Sequence, residues 1–446
     1  MDNINKYKYV LYNMFLNTAC YYFPIEYFFS NKTNKVDLDI LKEEISYDDK
    51  GLYIHVPYCV TNCLYCWCNR VISSDSKSIK KYVKYLLKEL EIIYNLNWKK
   101  KLTFTTIMIW WGTPSILSAK DMDYLFIWIY KLIDKSCIKQ ISIEASPFTL
   151  TNDKIDILHK HWVKRISIWI QSFDKNILKI NNRIHAPYSK IKDLIKHLRK
   201  KDFYVELDLM VWIKWQDLSS CIKDYVLALR LWVDDIAFNY YMHHNNSTYK
   251  SWFDSLELKN KFRKKIEKLY IHNSKRDTFC FLENYSLLKE RYSVIWLWVW
   301  AISNLWNNFS YTKNNLNNYF ESLDKNELPI DNWIILNDSF KYIRYIIMNL
   351  WTGILEIDKF KETFNKDMLS LYKNEFDYLF NNKILLIDNW KIVPYKKGYS
   401  FISHLLIFMD EYISKLDIDN KELEVSDEHL ESLAEDWFEI SDKVIC

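Results

Sequence analysis

Apolar residues recur along this chain with two different periods. Short runs over Leu52–Pro57, Thr106–Ile109, Gln140–Glu144, Arg165–Ile170, Tyr204–Val211 and Asp235–Tyr240 read as strands. Longer stretches near 77–96, 118–134, 150–161, 188–200 and 217–231 carry apolar residues three to four apart. In the first of these, Ile79, Val83, Leu86, Leu87 and Leu90 would form one buried helix face. Strand and helix alternate about every 30 residues, which predicts βαβ units and a parallel sheet. Six such units predict an α/β fold, a partial (β/α)6 TIM-like barrel with its chemistry on the loops after the strand C-termini. From about residue 330 the pattern is helical, with a strand pair near Ile384–Val393, and predicts a helical or winged-helix-like cap. The expected division is a lead-in over 1–49, a barrel core over 50–310 and a C-terminal cap over 330–446.

Charge narrows the function classes. Against 61 Lys and Arg stand 57 Asp and Glu, a net charge of +4, too balanced to imply a nucleic acid or an acidic membrane face. No readable signal peptide and no long apolar run is found, so a reducing cytoplasm and no membrane span are expected. The runs Lys99–Lys101 and Lys190–Lys201 read as solvated faces. Composition adds one anomaly. Only 4 of the 446 residues are Gly while 19 are Trp; about 7% Gly is usual, so roughly 30 are missing. A fold of this length needs residues that tolerate positive φ in its turns.

Of the nine Cys, Cys59, Cys63, Cys66 and Cys68 fall within ten residues, directly after the first strand. An odd, clustered set is a metal-site pattern and not a disulfide framework. Cys59, Cys63 and Cys66 can cover three corners of a [4Fe–4S] cluster and leave one iron open. Zinc is the alternative, although zinc sites more often use two separated pairs.

The spacing Cys-x3-Cys-x2-Cys after an apolar strand resembles the signature of radical S-adenosylmethionine (SAM) enzymes. The string from Gly51 through Cys59 to Cys68 and Asn69 resembles the oxygen-independent coproporphyrinogen III dehydrogenase family. Further blocks follow in the family's order: Thr113-Pro-Ser115, Ile141-Ser-Ile-Glu144, Arg165 to Phe173, Asn182-Arg183-x-His185, Asp208-Leu-Met210, Phe238-Asn-Tyr240 and Ala301-Ile-Ser303. The resemblance implies a cluster on Cys59, Cys63 and Cys66, and one SAM contacted by Tyr53, Trp111, Glu144 and Ile302. It implies a second SAM lined by Tyr65, Gly112, Thr113, Gln171, Arg183, Asp208 and Tyr241, with Tyr241 in place of a small residue. The plainer alternatives are an ordinary ion pair for Arg183 and Asp208 and a surface acid at a strand end for Glu144. Cys68 is present in the dehydrogenase, where the related haem-chaperone branch has Phe, and it marks a candidate catalytic thiol.

The implied reaction turns two propionates of coproporphyrinogen III into vinyl groups through a 5′-deoxyadenosyl radical. It needs an electron donor such as flavodoxin or ferredoxin, acts on a tetrapyrrole, involves neither nucleic acid nor membrane, and is carried out by a monomer. A haem chaperone, or a radical SAM enzyme with another substrate, is the alternative. The family's N-terminal substrate-covering motif is poorly kept in Ala19 to Ile25. His55 reads as an orienting or merely structural histidine, and His243 and His244 as loop histidines.

The glycine deficit falls on this resemblance. A Gly-Gly-Gly-Thr-Pro loop stands here as Trp110-Trp-Gly-Thr-Pro114. Trp67, Trp162, Trp169, Trp212, Trp215, Trp232, Trp296, Trp298, Trp300, Trp306 and Trp390 also stand where relatives have Gly. The expectation is a gene whose UGA codons mean glycine. Trp128, Trp252, Trp333 and Trp437 match no glycine pattern and are expected to be true tryptophans.

Overall fold

The computed structural model describes residues 36–66, 68–241, 293–299, 301–395 and Phe408. The expectations for Ala19 to Ile25, Trp67, His243, His244, Trp252, Trp300 and Trp437 lie outside these residues. The chain divides into two compact units, one of residues 34–305 with 309–333, the other of 306–308 with the residues from 334 on.

The larger unit starts with helix α1 (Leu38–Ser46), strand β1 (Lys50–Val56) and a short parallel pair, β2 (Tyr58–Cys59) with β3 (Val71–Ile72). Strand and helix then alternate: α2 (Ser76–Leu96), β4 (Thr106–Gly112), α3 (Ala119–Leu132), β5 (Gln140–Ala145), α4 (Asn152–Lys160) and β6 (Arg165–Gln171). The short α5 (Lys175–Ile180) and α6 (Tyr188–Lys200) follow, then β7 (Tyr204–Val211), α7 (Leu218–Leu229) and β8 (Asp235–Tyr240). Beyond lie β9 (Ser293–Leu297), β10 (Ile302–Asn304), β11 (Asn308–Thr312), α8 (Leu316–Asp324) and β12 (Ile330–Ile335).

The strands form one sheet in the order β12-β11-β10-β9-β1-β4-β5-β6-β7-β8. From β9 to β8 all neighbours run parallel, while β10 is antiparallel to both β9 and β11. This is the expected α/β architecture, a parallel sheet with its ends left apart. Two strands run past the expected boundaries. β4 continues through Trp110 and Trp111 to Gly112 because His55 and Val56 keep pairing with it across a bulge. β6 reaches Gln171 across a second bulge opposite Leu209.

Local chemistry accounts for the helices. In α2 the apolar stripe is buried, and Asp75 caps it by accepting from the N–H groups of Lys77 and Ser78. Asp217 and Ser220 close a reciprocal capping box at α7. At the N-terminal ends of β6, β7 and β8, buried Arg165 meets Glu206 and lies 3.8 Å from Asp235. Removing one partner there would leave a buried charge uncompensated.

The face of α2 turned to α8 holds a buried acid. Glu89 accepts a hydrogen bond from the Tyr319 hydroxyl at 2.6 Å, and burial pushes its carboxyl up to about 8. An unfolded Glu titrates at about 4.3. Between these values the folded chain binds the extra proton, so stability falls as pH rises through that window and levels off above it. Glu89→Gln should abolish that slope. Its advantage over the parent should grow from pH 5 to pH 8 to about 2–4 kcal/mol, read from urea midpoints.

The second unit holds α9 (Asp338–Thr352), β13 (Leu355–Glu356), α10 (Ile357–Phe364), α11 (Met368–Leu371), α12 (Lys373–Asn381), β14 (Leu385–Asp388) and β15 (Lys391–Pro394). Its three strands pair antiparallel in the order β13-β15-β14. Asn337 caps α9 by accepting from Phe340, and Gly353 ends it with φ 105°. Among the described residues no helix is long and apolar enough to cross a membrane.

Candidate functional site

The sequence-predicted residues gather where the parallel strands end. β1 delivers the cysteine loop, β4 delivers Gly112 and Thr113, β5 Glu144, β6 Gln171, and β7 Asp208. One cavity there is lined by Cys59, Cys63, Cys66 and Cys68 together with Tyr65, Gly112, Thr113, Gln171 and Arg183. Tyr53, Trp111, Glu144, Asp208, Tyr241 and Ile302 are not among its lining residues. Tyr53, Trp111, Glu144 and Asp208 are buried nearby in the strands, Tyr241 packs with Cys63, Tyr65, Ile177 and Ile213, and Ile302 begins β10.

Contacts that the linear sequence does not announce hold the cysteine loop. Arg70 donates to the Asn62 side chain at 2.6 Å and to the carbonyls of Cys66 and Cys68 at 3.1 and 2.8 Å. The segment after α5 grips the other side. Leu64 N–H donates to the Asn181 carbonyl at 3.1 Å, and Asn182 Nδ2 donates to the Asn62 carbonyl at 2.8 Å. Only the position of Arg70, two residues after the last cysteine, offered any signal for these roles.

The electrostatics differ from thiol to thiol. Burial pushes the Cys59 thiol up to about 11, against the pull of a hydrogen bond with Thr113. The Cys68 thiol hydrogen-bonds Cys66 and draws it down to about 6 despite burial, and Cys68 itself is driven up. Glu144 accepts the Trp111 N–H at 2.6 Å, and burial, then the neighbouring Asp208, lifts its carboxyl well above the usual range. Asp208 is pushed up to about 8 by burial while Ser167 and Asn239 donate to it. His55 is fully buried and held neutral.

The cysteine set suits an iron–sulfur cluster. Cys59, Cys63, Cys66 and Cys68 are all free thiols. Among the described residues no group of three or more His, Cys, Asp or Glu is disposed to hold a metal ion, so the fit of the trio rests on its spacing and on the cavity that the three share. The Oε1 atom of buried Gln171 has no hydrogen-bond partner, which leaves an acceptor for a bound group beside the thiols.

The space beside Tyr53 and Glu144 does not suit a nucleoside cofactor as the sequence is written. Buried Trp111, Trp296 and Trp298 fill it with Tyr53 and His55. Ring centroids stand 3.4 Å apart for His55 and Trp298 and 3.9 Å for Tyr53 and Trp296, closer than the ~4.5–7 Å at which aromatic rings pack. The neighbouring Gly112 shows what the loop requires. Its φ is +62°, and a Cβ there would overlap the Val56 carbonyl oxygen and stand 2.9 Å from Pro57 Cα.

Comparison with known proteins agrees with this geometry. Residues 53–218 match the Radical SAM superfamily family model. The chain is 28% identical over 243 residues to the heme chaperone HemW of Buchnera aphidicola, covering 54% of this chain and 59% of that one. It is 32% identical over 183 residues to HemW of Escherichia coli, covering 41% and 47%. It thus spans about half the length of these chaperones. With the oxygen-independent coproporphyrinogen III oxidase of Helicobacter pylori it shares 22% identity over 396 residues, covering 81% of this chain and 86% of that one. The fold matches that of the Escherichia coli coproporphyrinogen III oxidase HemN with a TM-score of 0.74 at 17% identity, over 89% of this chain and 98% of that one. The chain therefore carries a radical SAM superfamily domain and has both coproporphyrinogen III oxidases and heme chaperones among its homologues.

Proposed function

We propose that this chain is an oxidoreductase of the oxygen-independent coproporphyrinogen III dehydrogenase type, converting propionate side chains of a tetrapyrrole to vinyl groups with loss of CO2. The observation that carries the reading is the trio Cys59, Cys63 and Cys66 facing one cavity with Arg183 and Gln171. The three cysteines would hold three irons of a [4Fe–4S] cluster and leave the fourth to a small molecule. When bound, the cluster and SAM supply one-electron chemistry able to remove a hydrogen atom from an unactivated carbon. Glu144 would receive an ammonium group, the Arg183 guanidinium would attract a carboxylate while its two terminal nitrogens hold Cys63 and the Trp169 carbonyl, and Gln171 would accept a hydrogen bond through Oε1. Cys68 lies on the cavity wall as a thiol that is no cluster ligand. An electron donor of the flavodoxin or ferredoxin class and a cytoplasmic setting belong to the same reading. Coverage of most of the Helicobacter pylori oxidase supports the dehydrogenase. The higher identity to the chaperones supports a second reading, haem carriage without turnover.

The reading also requires glycine where Trp111 is written, because the cofactor needs the volume its indole fills. Backbone conformation supports this well beyond the site. Among the described residues fifteen other than Gly have positive φ, and seven of them are Trp: Trp98, Trp111, Trp162, Trp212, Trp215, Trp232 and Trp390. Asn, Asp and His are the residues enriched there, and bulky side chains are outliers. Five turns show the logic. After α5 and α6 the left-handed residue is Asn182 and Asp202, while after α4 and α7 the equivalent residue is Trp162 and Trp232. That position is usually Gly. Between β14 and β15, Asn389 and Trp390 both have positive φ in a two-residue hairpin turn, where Asn-Gly is the favoured pair.

Anaerobic loading with iron and sulfide of the protein carrying glycine at Trp110, Trp111, Trp296 and Trp298 tests the function. A [4Fe–4S] absorption and EPR signal, 5′-deoxyadenosine from SAM and CO2 from coproporphyrinogen III are the expected results. Haem retention without 5′-deoxyadenosine would favour the chaperone, and a lone bound zinc ion would overturn both readings.

A further inference from the structure

Each cysteine of the trio meets a hydrogen-bonding partner within the protein. Thr113 Oγ1 lies 3.3 Å from Cys59 Sγ. Arg183 Nη1 donates to Cys63 Sγ at 3.7 Å, and Thr61 Oγ1 lies 3.9 Å from the same sulfur. Cys68 is the partner of Cys66. These donors are held in place. Thr113 N–H is tied to the Val56 carbonyl at 3.2 Å, directly after the constrained Gly112. The second guanidinium nitrogen of Arg183 donates to the Trp169 carbonyl at the bulge before Gln171, and its neighbour Asn182 is bound to the cysteine loop.

We propose that Arg183 and Thr113 are positioning residues that set the electron affinity of the cluster by donating hydrogen bonds to the sulfurs of Cys63 and Cys59. The inference rests on the reading that these cysteines hold a [4Fe–4S] cluster. Reduction adds one negative charge to the cluster and its sulfurs. A fixed cation and a fixed hydroxyl dipole aimed at those sulfurs favour the more negative state, the more so where water is excluded. Arg183 is the stronger of the two because it brings a full charge, and its fork spans Cys63 and the strand end that carries Gln171. One residue thereby touches a cluster ligand and borders the cavity, so the charge of whatever fills the cavity is felt at Cys63 through the same guanidinium.

The test is an EPR-monitored redox titration of the full chain, loaded anaerobically with iron and sulfide. Arg183→Gln should move the reduction equilibrium at least tenfold toward the oxidised cluster, a fall of about 59 mV for one electron. Arg183→Lys should recover part of that shift, since it keeps the charge and loses the fork. Thr113→Val should move the potential the same way by less, and Thr113→Ser should restore it. Unchanged potentials in Arg183→Gln and Thr113→Val, at normal iron content, would overturn the inference and leave the cluster reading standing. Failure of the parent chain to form a [4Fe–4S] cluster would remove the reading itself. Should Arg183→Gln not load, Thr113→Val against Thr113→Ser decides.

Discussion

Replacing Trp162, Trp215, Trp232 and Trp390 together by glycine should stabilise the protein. Large apolar residues exchanged for glycine on a surface ordinarily cost stability through chain entropy, about 0.5–1 kcal/mol each relative to Ala. These four differ because each holds left-handed backbone, with φ from 54° to 69°, and is largely exposed, 81% for Trp232 and 76% for Trp390. A non-glycine residue pays about 1–3 kcal/mol for that conformation, and little buried area offsets it. The net gain for four sites is about 2–4 kcal/mol, seen as a higher urea midpoint. The contrasting control is Trp333→Gly, which removes a fully buried side chain whose φ is not positive. It should cost at least about 3–5 kcal/mol. The opposite signs separate written tryptophans from working ones. Extending the glycine set to Trp110, Trp111, Trp296 and Trp298 should create measurable SAM binding in equilibrium dialysis. The gene offers an independent check: UGA at these positions and UGG at Trp128 and Trp333 is the expected result, and UGG throughout would refute the glycine reading.

Gly112→Ala should produce the second large effect, in the opposite direction. A single methyl group there meets the backbone of the Val56–Pro57 segment, the Val56 carbonyl and Pro57 Cα, and the φ of +62° is left-handed. Backbone cannot swing aside as the end of a side chain can, so β1 and β4 would have to separate at the mouth of the cysteine loop. Left-handed strain and overpacking together come to about 3 kcal/mol or more. Thr113 would move as well, and its contact with Cys59 would open. The expected result is a sharply lower denaturation midpoint and a loss of iron uptake. Gly51→Ala is the comparison, since its added Cβ would meet the side chains of Val294, Thr106 and Met108, at 3.2, 3.3 and 3.5 Å. That substitution should cost about 1–2 kcal/mol and leave iron uptake intact.

The barrel was legible because its strands are continuous apolar runs and its helices carry apolar stripes, both written in consecutive residues. Tyr204–Val211 and Asp235–Tyr240 have the expected bounds for that reason. The ends of β4 and β6 were not legible, since they depend on bulges opposite His55 and Leu209, residues distant in the chain. The same limit applies to the site. Cys59, Cys63 and Cys66 could be grouped from spacing, but the grip of Asn182 on Asn62 spans 120 residues. No local period encodes it. Trp98 gave no glycine signal in sequence and shows one only through its φ of 49°.

The clamp formed by Arg70, Asn181 and Asn182 on the cysteine loop has a consequence for how the protein matures. Its hydrogen bonds run from protein to protein and need no iron to exist. The loop is therefore fastened to the barrel by contacts that do not pass through a metal, unlike small zinc folds that form only around their ion. Stripping the metal should leave the barrel standing, and recovery of the holoprotein becomes a matter of iron and sulfide supply to a cradle that already has its shape.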